Sequence, residues 1–92
     1  MNKDELTQSI KGFLVSTQPT SKKNGEELVS TAMAERYNEL RQHVIALPGE
    51  QPSGLPPEIA VQRLSYAQWT QVSLQTIHDY LRTLHNHLKR LP

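Results

Sequence analysis

The sequence predicts an all-α protein: an antiparallel helical hairpin with a short N-terminal helix, which together form a three-helix bundle, with dimerisation into a larger bundle left open. Two apolar stripes with heptad spacing carry this prediction, one on each of two long helical segments. A run of prolines and glycines between the stripes ends one helix and lets the chain turn back. A chain of 92 residues is expected to form a single small domain.

The chain begins with a predicted helix over residues 2–15. Asn2 followed by Glu5 matches a capping box at its start. An apolar stripe follows at helical spacing: Leu6, Ile10, Phe13 and Leu14. The polar stretch 16–24 contains Pro19 and is a predicted linker. Its length allows the first helix to fold back on the rest of the chain.

A second helix is predicted over residues 25–47, with Asn24 and Glu27 as its capping box. Its stripe has spacings of four, three, four and three residues: Met33, Tyr37, Leu40, Val44 and Leu47. Prolines and glycines then fill residues 48–56, which are a predicted linker. The next proline suits the first position of a short helix over residues 57–63.

The last helix is predicted over residues 65–91. Ser65 followed by Gln68 matches a capping box, and Lys89 and Arg90 suit the negative end of a helix dipole. The stripe again alternates spacings of three and four: Leu74, Ile77, Leu81, Leu84, Leu88 and Leu91. This pattern is typical of a long amphipathic helix whose apolar side must be covered.

The sequence leaves open whether the rest of the chain or a second molecule covers these stripes. The seam residues that we expect to contact a partner or a second copy are Tyr37, Leu40, Val44, Trp69, Leu74, Ile77, Leu81, Leu84 and Leu88. Residues beside the seams would set the choice of partner. They are Arg41, His43, His78, Arg82, His85 and His87.

Composition narrows the classes of function. The formal net charge is +1, without the clustered basic face that a polyanion-binding protein usually carries. Cysteine is absent, which excludes disulfides and thiolate zinc sites. No stretch resembles a signal peptide or a membrane span, so we expect a cytoplasmic protein without membrane association.

Neither an enzyme nor a bound cofactor or metal is expected. The sequence lacks a Gly-x-Ser-x-Gly elbow and a glycine-rich phosphate loop. His78 and His85 share a side of the last helix, but seven residues separate them by about 10.5 Å, which is too far for one metal ion. Asp79 follows His78 directly, and neighbours on a helix point about 100° apart, so they form no catalytic relay.

The expected function is that of a small helical interaction module: an adaptor, regulator or assembly subunit that binds a protein partner or its own copy. The alternative is a dimeric nucleic-acid-binding regulator with a degenerate helix-turn-helix over residues 57–80. Its polar readers would be Tyr66, Gln68, Thr70 and Gln71. Arg63 is the main cation near that segment, so phosphate contacts would be few and nucleic acid is the less expected partner.

Overall fold

The protein is mostly helical, with one small sheet. The computed structural model describes residues 2–47, 55–61 and 69–90, and for Trp69 it describes the backbone alone. The elements in chain order are α1 (Lys3–Thr17), α2 (Lys22–Glu26), β1 (Leu28–Ser30), α3 (Thr31–Ala46), β2 (Trp69–Ser73) and α4 (Leu74–Arg90). The prediction of a largely helical chain is confirmed, and the prediction that it is purely α-helical is wrong.

The sheet occupies residues 28–30 and 69–73, which were predicted as parts of the two long helices. β1 and β2 pair antiparallel, with Leu28 opposite Ser73 and Ser30 opposite Trp69. The helices predicted over 25–47 and 65–91 are therefore shorter than expected in the described part of the chain. Both strand segments contain β-branched residues, which favour a pleated, half-buried backbone once a partner strand is available. Each strand runs directly into its helix.

Helix caps explain where the helices begin. The Glu5 backbone N–H donates to Asn2 Oδ1 at 2.8 Å, so the predicted first cap is confirmed. The predicted cap at Asn24 is wrong, because Asn24 lies inside α2. Ser30 caps α3 instead, accepting a hydrogen bond from the third residue of that helix, and Ser73 accepts similarly in the first turn of α4. The capping pair predicted at 65 and 68 lies outside the described residues.

The two seam-bearing helices do not form the expected full-length antiparallel hairpin. The Leu74 N–H donates to the Glu27 carbonyl at 2.8 Å, and Glu27 lies four residues before Thr31. A four-residue extended segment spans about 13 Å and hydrogen-bonded neighbouring strands lie about 5 Å apart, so the starts of α3 and α4 are within about 18 Å of each other. An antiparallel pair would separate them by about 24 Å, the length of each helix. The pairing of β1 with β2 holds the starts of the two helices close together instead of at opposite ends of the pair.

α4 packs most extensively against α1, and the two helices are antiparallel. Thr17 at the end of α1 contacts His78 near the start of α4, and Lys11 lies close enough to His85 to affect its titration. The core joins these helices to α3 and β1: Leu6, Ile10, Phe13, Val29, Ala34, Tyr37, Leu40, Val44, Ile59, Ile77, Leu81, Leu84 and Leu88. The first helix is therefore docked on its own chain.

The predicted linkers and the short third helix also differ from expectation. α1 continues through Thr17 and α2 occupies residues 22–26, so the predicted linker 16–24 is largely helical. The helix predicted over 57–63 is wrong where it is described, because residues 55–61 contain neither helix nor strand. These seven residues, here called the strap, lie along α3. Most of the predicted linker 48–56 lies outside the described residues.

Candidate functional site

The seam residues form the core of a single chain. Those that are at most 5% exposed are Tyr37, Leu40, Val44, Ile77, Leu81, Leu84 and Leu88. Leu74 is partly buried against this cluster, while the side chain of Trp69 lies outside the description. Of the two arrangements that the sequence allowed, the structure contains the one in which the chain covers its own stripes. A surface for another molecule must then use other residues or follow a rearrangement.

The residues expected beside the seams have diverse environments. His78 and His87 are buried, Arg41, His43 and His85 are half-buried, and Arg82 is exposed. His78 and His87 are thus the most buried of the flanking residues, and their expected role beside the seams stays a prediction.

His78 makes a buried polar contact between α4 and α1. Its Nδ1 lies 3.2 Å from Thr17 Oγ1, and Thr17 is fully buried. The same hydroxyl donates to the Leu14 carbonyl at 3.2 Å. Since a hydroxyl has one proton, this arrangement assigns the Nδ1 proton to His78, which then donates to Thr17. If the two helices slid past each other, both polar groups would be left unpaired inside the core. The contact therefore fixes the register between the two helices.

Positively charged side chains lie near His85, farther along the α1–α4 pair than the contact between His78 and Thr17. Burial lowers the pKa of His85, and the positive charges of Lys89 and Lys11 lower it further. Lys89 follows one turn after His85 on α4, and Lys11 reaches across from α1. Arg82 lies one turn before His85 and is exposed. Together these residues form a small basic patch on one side of the helix pair.

Two of the predicted residues hold the strap. The Tyr37 hydroxyl donates to the Pro57 carbonyl at 2.9 Å, and Arg41 Nε donates to the Pro56 carbonyl at 2.7 Å. Burial strongly raises the pKa of Tyr37, while the Arg41 charge opposes this shift and Tyr80 adds to it. Tyr37 therefore stays protonated as a donor. Its ring also packs on Tyr80, with ring centroids 5.8 Å apart.

Asn38 also binds the strap, and it was not selected from the sequence. Its Nδ2 donates to the Ile59 carbonyl at 2.8 Å, and its Oδ1 accepts from the Ile59 N–H at 2.9 Å. One amide side chain thus satisfies both backbone groups of a residue that is itself buried. The available signal was weak: asparagine is a poor helix former in the middle of a predicted helix. We call Tyr37, Asn38 and Arg41 the clamp.

Two open clefts border these elements. A cleft of about 460 Å³ follows β1 and is lined by all three of its residues together with Ser16, Gln18 and Met33. A second cavity of about 650 Å³ lies beside the strap, where Glu35, Asn38 and Glu58 contribute to its wall. The first cleft has a largely polar lining in which the apolar side chain of Leu28 is exposed, and Glu35 and Glu58 place two carboxylates in the second.

The helix-turn-helix predicted over residues 57–80 is wrong where the structure describes it. Residues 57–61 are not helical, so the first helix of the motif does not begin as expected, and residues 69–73 form β2 within the segment predicted as the second helix. Within the described ranges, no group of three or more histidine, aspartate or glutamate side chains is arranged to hold a metal ion. The helices of the described residues also include none that is long and apolar enough to span a membrane.

The fold and its clefts define a compact, mostly helical chain with a clamped extended segment. Comparison with known protein families, with curated proteins and with solved structures finds no match. Function must therefore be inferred from the surfaces themselves.

Proposed function

We propose that the protein is a small cytoplasmic interaction module, an adaptor, regulator or assembly subunit, which binds an extended segment of a partner protein along β1. The observation that carries this proposal is the exposed apolar side chain of Leu28 in the β1 cleft. Leu28 is 44% exposed. The partly buried side chains of Met33 and Leu74 line the same cleft. Apolar side chains concentrated beside a cleft favour a docking surface.

The strand supplies the second part of the argument. β1 has β2 on one side, and the cleft runs along all three β1 residues. An extended peptide added beside a short strand gains main-chain hydrogen bonds, while side-chain contacts give specificity. An aliphatic side chain of the partner would cover Leu28 and Met33, and Ser16 and Gln18 would offer polar contacts in the cleft. The seams support this surface indirectly, because their burial fixes α1, β1 and α3 in place.

Substitution at the exposed apolar position tests this proposal. Leu28→Asp places a charge in the cleft and should abolish partner retention without loss of helical circular dichroism. Gln42→Asp adds the same charge at an exposed position of α3 and is the matched control. Each protein is immobilised, exposed to extract of the native host, and the retained proteins are identified by mass spectrometry.

A partner retained by wild type and Gln42→Asp but lost with Leu28→Asp, which then binds purified protein in a titration, supports the proposal. Equal retention by both variants contradicts it. Light scattering after size exclusion gives the remaining outcome: a dimer that Leu28→Asp dissociates would assign the cleft to a second copy instead of another protein.

The basic patch favours a second candidate, binding to a nucleic-acid backbone. Lys11, Arg82 and Lys89 lie near His85 along one side of the α1–α4 pair. Phosphate contacts by such cations release counterions, so affinity falls steeply with salt. We expect an Arg82→Gln, Lys89→Gln double variant to reduce any DNA or RNA retention and its salt slope. Retention that is insensitive to both salt and this variant removes the candidate.

A further inference from the structure

The strap is attached to α3 much as a peptide ligand is attached to a binding domain. It has neither helical nor strand structure over residues 55–61. The hydrogen bonds that join it to α3 come from the three side chains of the clamp, and their partners on the strap are backbone atoms. Because every peptide has such backbone groups, this grip does not depend on the strap's own side chains.

The buried side chains of the strap recur every three residues. Pro56 and Ile59 are buried, whereas Pro57, Glu58 and Ala60 are exposed. A polyproline II helix has three residues per turn, so residues three apart face the same side. The residue before a proline is restricted to extended conformations, which applies twice at the Leu-Pro-Pro step. Pro56 and Ile59 therefore have the spacing of residues on one side of a polyproline-type helix.

The clamp has the chemistry of sites that recognise proline-rich peptides. Such sites surround a preformed extended helix with aromatic rings and hydrogen-bond donors to its carbonyl groups. Here Tyr37 and Arg41 donate to successive proline carbonyls, and Tyr80 packs against the Tyr37 ring. Asn38 adds recognition of both backbone groups of Ile59, two residues after Pro57. Selectivity then comes from the apolar side chains of the strap that pack on the core, Ile59 with the partly buried Leu55 and Val61, and from the buried Pro56.

We propose that the clamp on α3 is a binding site for an extended peptide of a partner protein, with a proline three residues before an aliphatic residue, and that the strap is a resident ligand which this peptide displaces. The site is distinct from the β1 cleft and does not depend on it. Occupation by the strap keeps the site closed until a better ligand arrives, since an attached segment competes at an effective concentration of about millimolar.

The cavity beside the strap adds a charge preference. Glu35 of α3 and Glu58 of the strap line the same open cavity, so two groups of like charge share one surface. A peptide with lysine at the position of Glu58 would replace this repulsion with attraction to Glu35. The preferred partner segment is therefore basic between its proline and its aliphatic residue, and the resident strap is a weaker ligand than such a segment.

Peptide binding to the full-length protein tests the proposal. The probes are a labelled peptide with the sequence of residues 55–61, Leu-Pro-Pro-Glu-Ile-Ala-Val, and a version with lysine in place of glutamate. Fluorescence anisotropy measures their affinity for wild type and for Ile59→Asp, whose strap cannot bury a charged side chain. We expect at least about tenfold tighter binding to Ile59→Asp, because the resident competitor is removed. The lysine peptide should bind about two- to fivefold tighter than the parent, as for an exposed ion pair.

Further substitutions in the Ile59→Asp background identify the site. Asn38→Ala should weaken peptide binding by about tenfold or more, since two hydrogen bonds are lost. Asn86→Ala is the matched control, because it makes the same change at an exposed position of α4 and should leave affinity unchanged. Equal effects of the two alanine variants overturn the proposal, as does equal binding of a peptide in which Pro56 and Ile59 have exchanged places.

A second measurement uses the wild type and covers the case in which Ile59→Asp fails to fold. The Ile59 amide is protected by its hydrogen bond to Asn38, so displacement of the strap should accelerate its hydrogen exchange. We expect acceleration at about millimolar peptide, the effective concentration of the strap. Unchanged exchange overturns the proposal. A dimer that exchanges straps between copies, detected by light scattering, also overturns it by assigning the site to a second copy.

Discussion

Removing the Asn38 side chain should measure how much the clamp contributes to folding. Asn38→Ala eliminates two hydrogen bonds to Ile59, of 2.8 and 2.9 Å. Each contributes about 1 kcal/mol net, for a loss of about 2 kcal/mol. Alanine is the better helix former by about 0.6 kcal/mol, which offsets part of that loss. The net decrease in the free energy of unfolding is therefore about 1.4 kcal/mol.

The same substitution at another position separates the two effects. Asn86 is an exposed residue of α4, so Asn86→Ala should stabilise the protein by about the helix-propensity difference alone, about 0.6 kcal/mol. The two variants should therefore differ by about 2 kcal/mol. Urea unfolding at neutral pH, followed by far-ultraviolet circular dichroism, gives both free energies. The corresponding decrease in Tm for Asn38→Ala is about 6 to 11 °C.

Two outcomes would refute this reasoning. If both alanine variants have the same free energy of unfolding within about 0.3 kcal/mol, the Asn38 hydrogen bonds contribute nothing to stability. If Asn38→Ala decreases the dependence of unfolding on urea without moving the midpoint, the strap is not part of the cooperative unit.

Three other substitutions test the core and the two shifted pKa values. Leu81→Asp should unfold the chain, because it places a charge at a fully buried position. The control variant Arg82→Asp should remain folded. A Leu81→Asp protein that is folded and differs only in oligomeric state by light scattering would contradict this prediction. Burial raises the pKa of Tyr37 in the folded chain, so above pH about 10 the unfolded chain loses the Tyr37 proton first and the free energy of unfolding falls. Tyr37→Phe should make this alkaline decrease shallower when the free energy is measured by urea titration at several pH values. An unchanged dependence of the free energy on pH would contradict the prediction. The pKa of His85 is lowered on folding, so below pH about 6.5 the unfolded chain takes up the His85 proton first and the free energy of unfolding falls. His85→Gln should make this decrease shallower. An equally steep decrease in the variant would argue against the lowered pKa.

The local pattern predicted much of the helical structure. α1 begins at the predicted cap and its apolar stripe is buried, and the stripe from Ile77 to Leu88 occupies the core side of α4. These features follow from the 3.6-residue period of a helix and from side chains within one turn of each other. Neither depends on which distant segment supplies the opposing surface, so a single sequence is sufficient to predict them.

The candidate sites could be predicted only in part. Tyr37 and Arg41 were selected for an apolar seam and its flank, yet their polar atoms bind the strap. Asn38 was not selected, since an asparagine in a helix does not reveal which backbone it will pair with. The β1 cleft also depends on strand pairing between residues that are about 40 positions apart.

The sequence by itself determined that this chain is mostly helical and which sides of its helices are apolar, because those properties depend on local spacing. Tertiary structure decided that residues 28–30 and 69–73, predicted as helix, become strands, that α4 pairs with α1, and that a proline-containing segment lies in the clamp. Each of these outcomes depends on hydrogen bonds or burial between distant residues, whose free energy outweighs the weak local preference of a short segment.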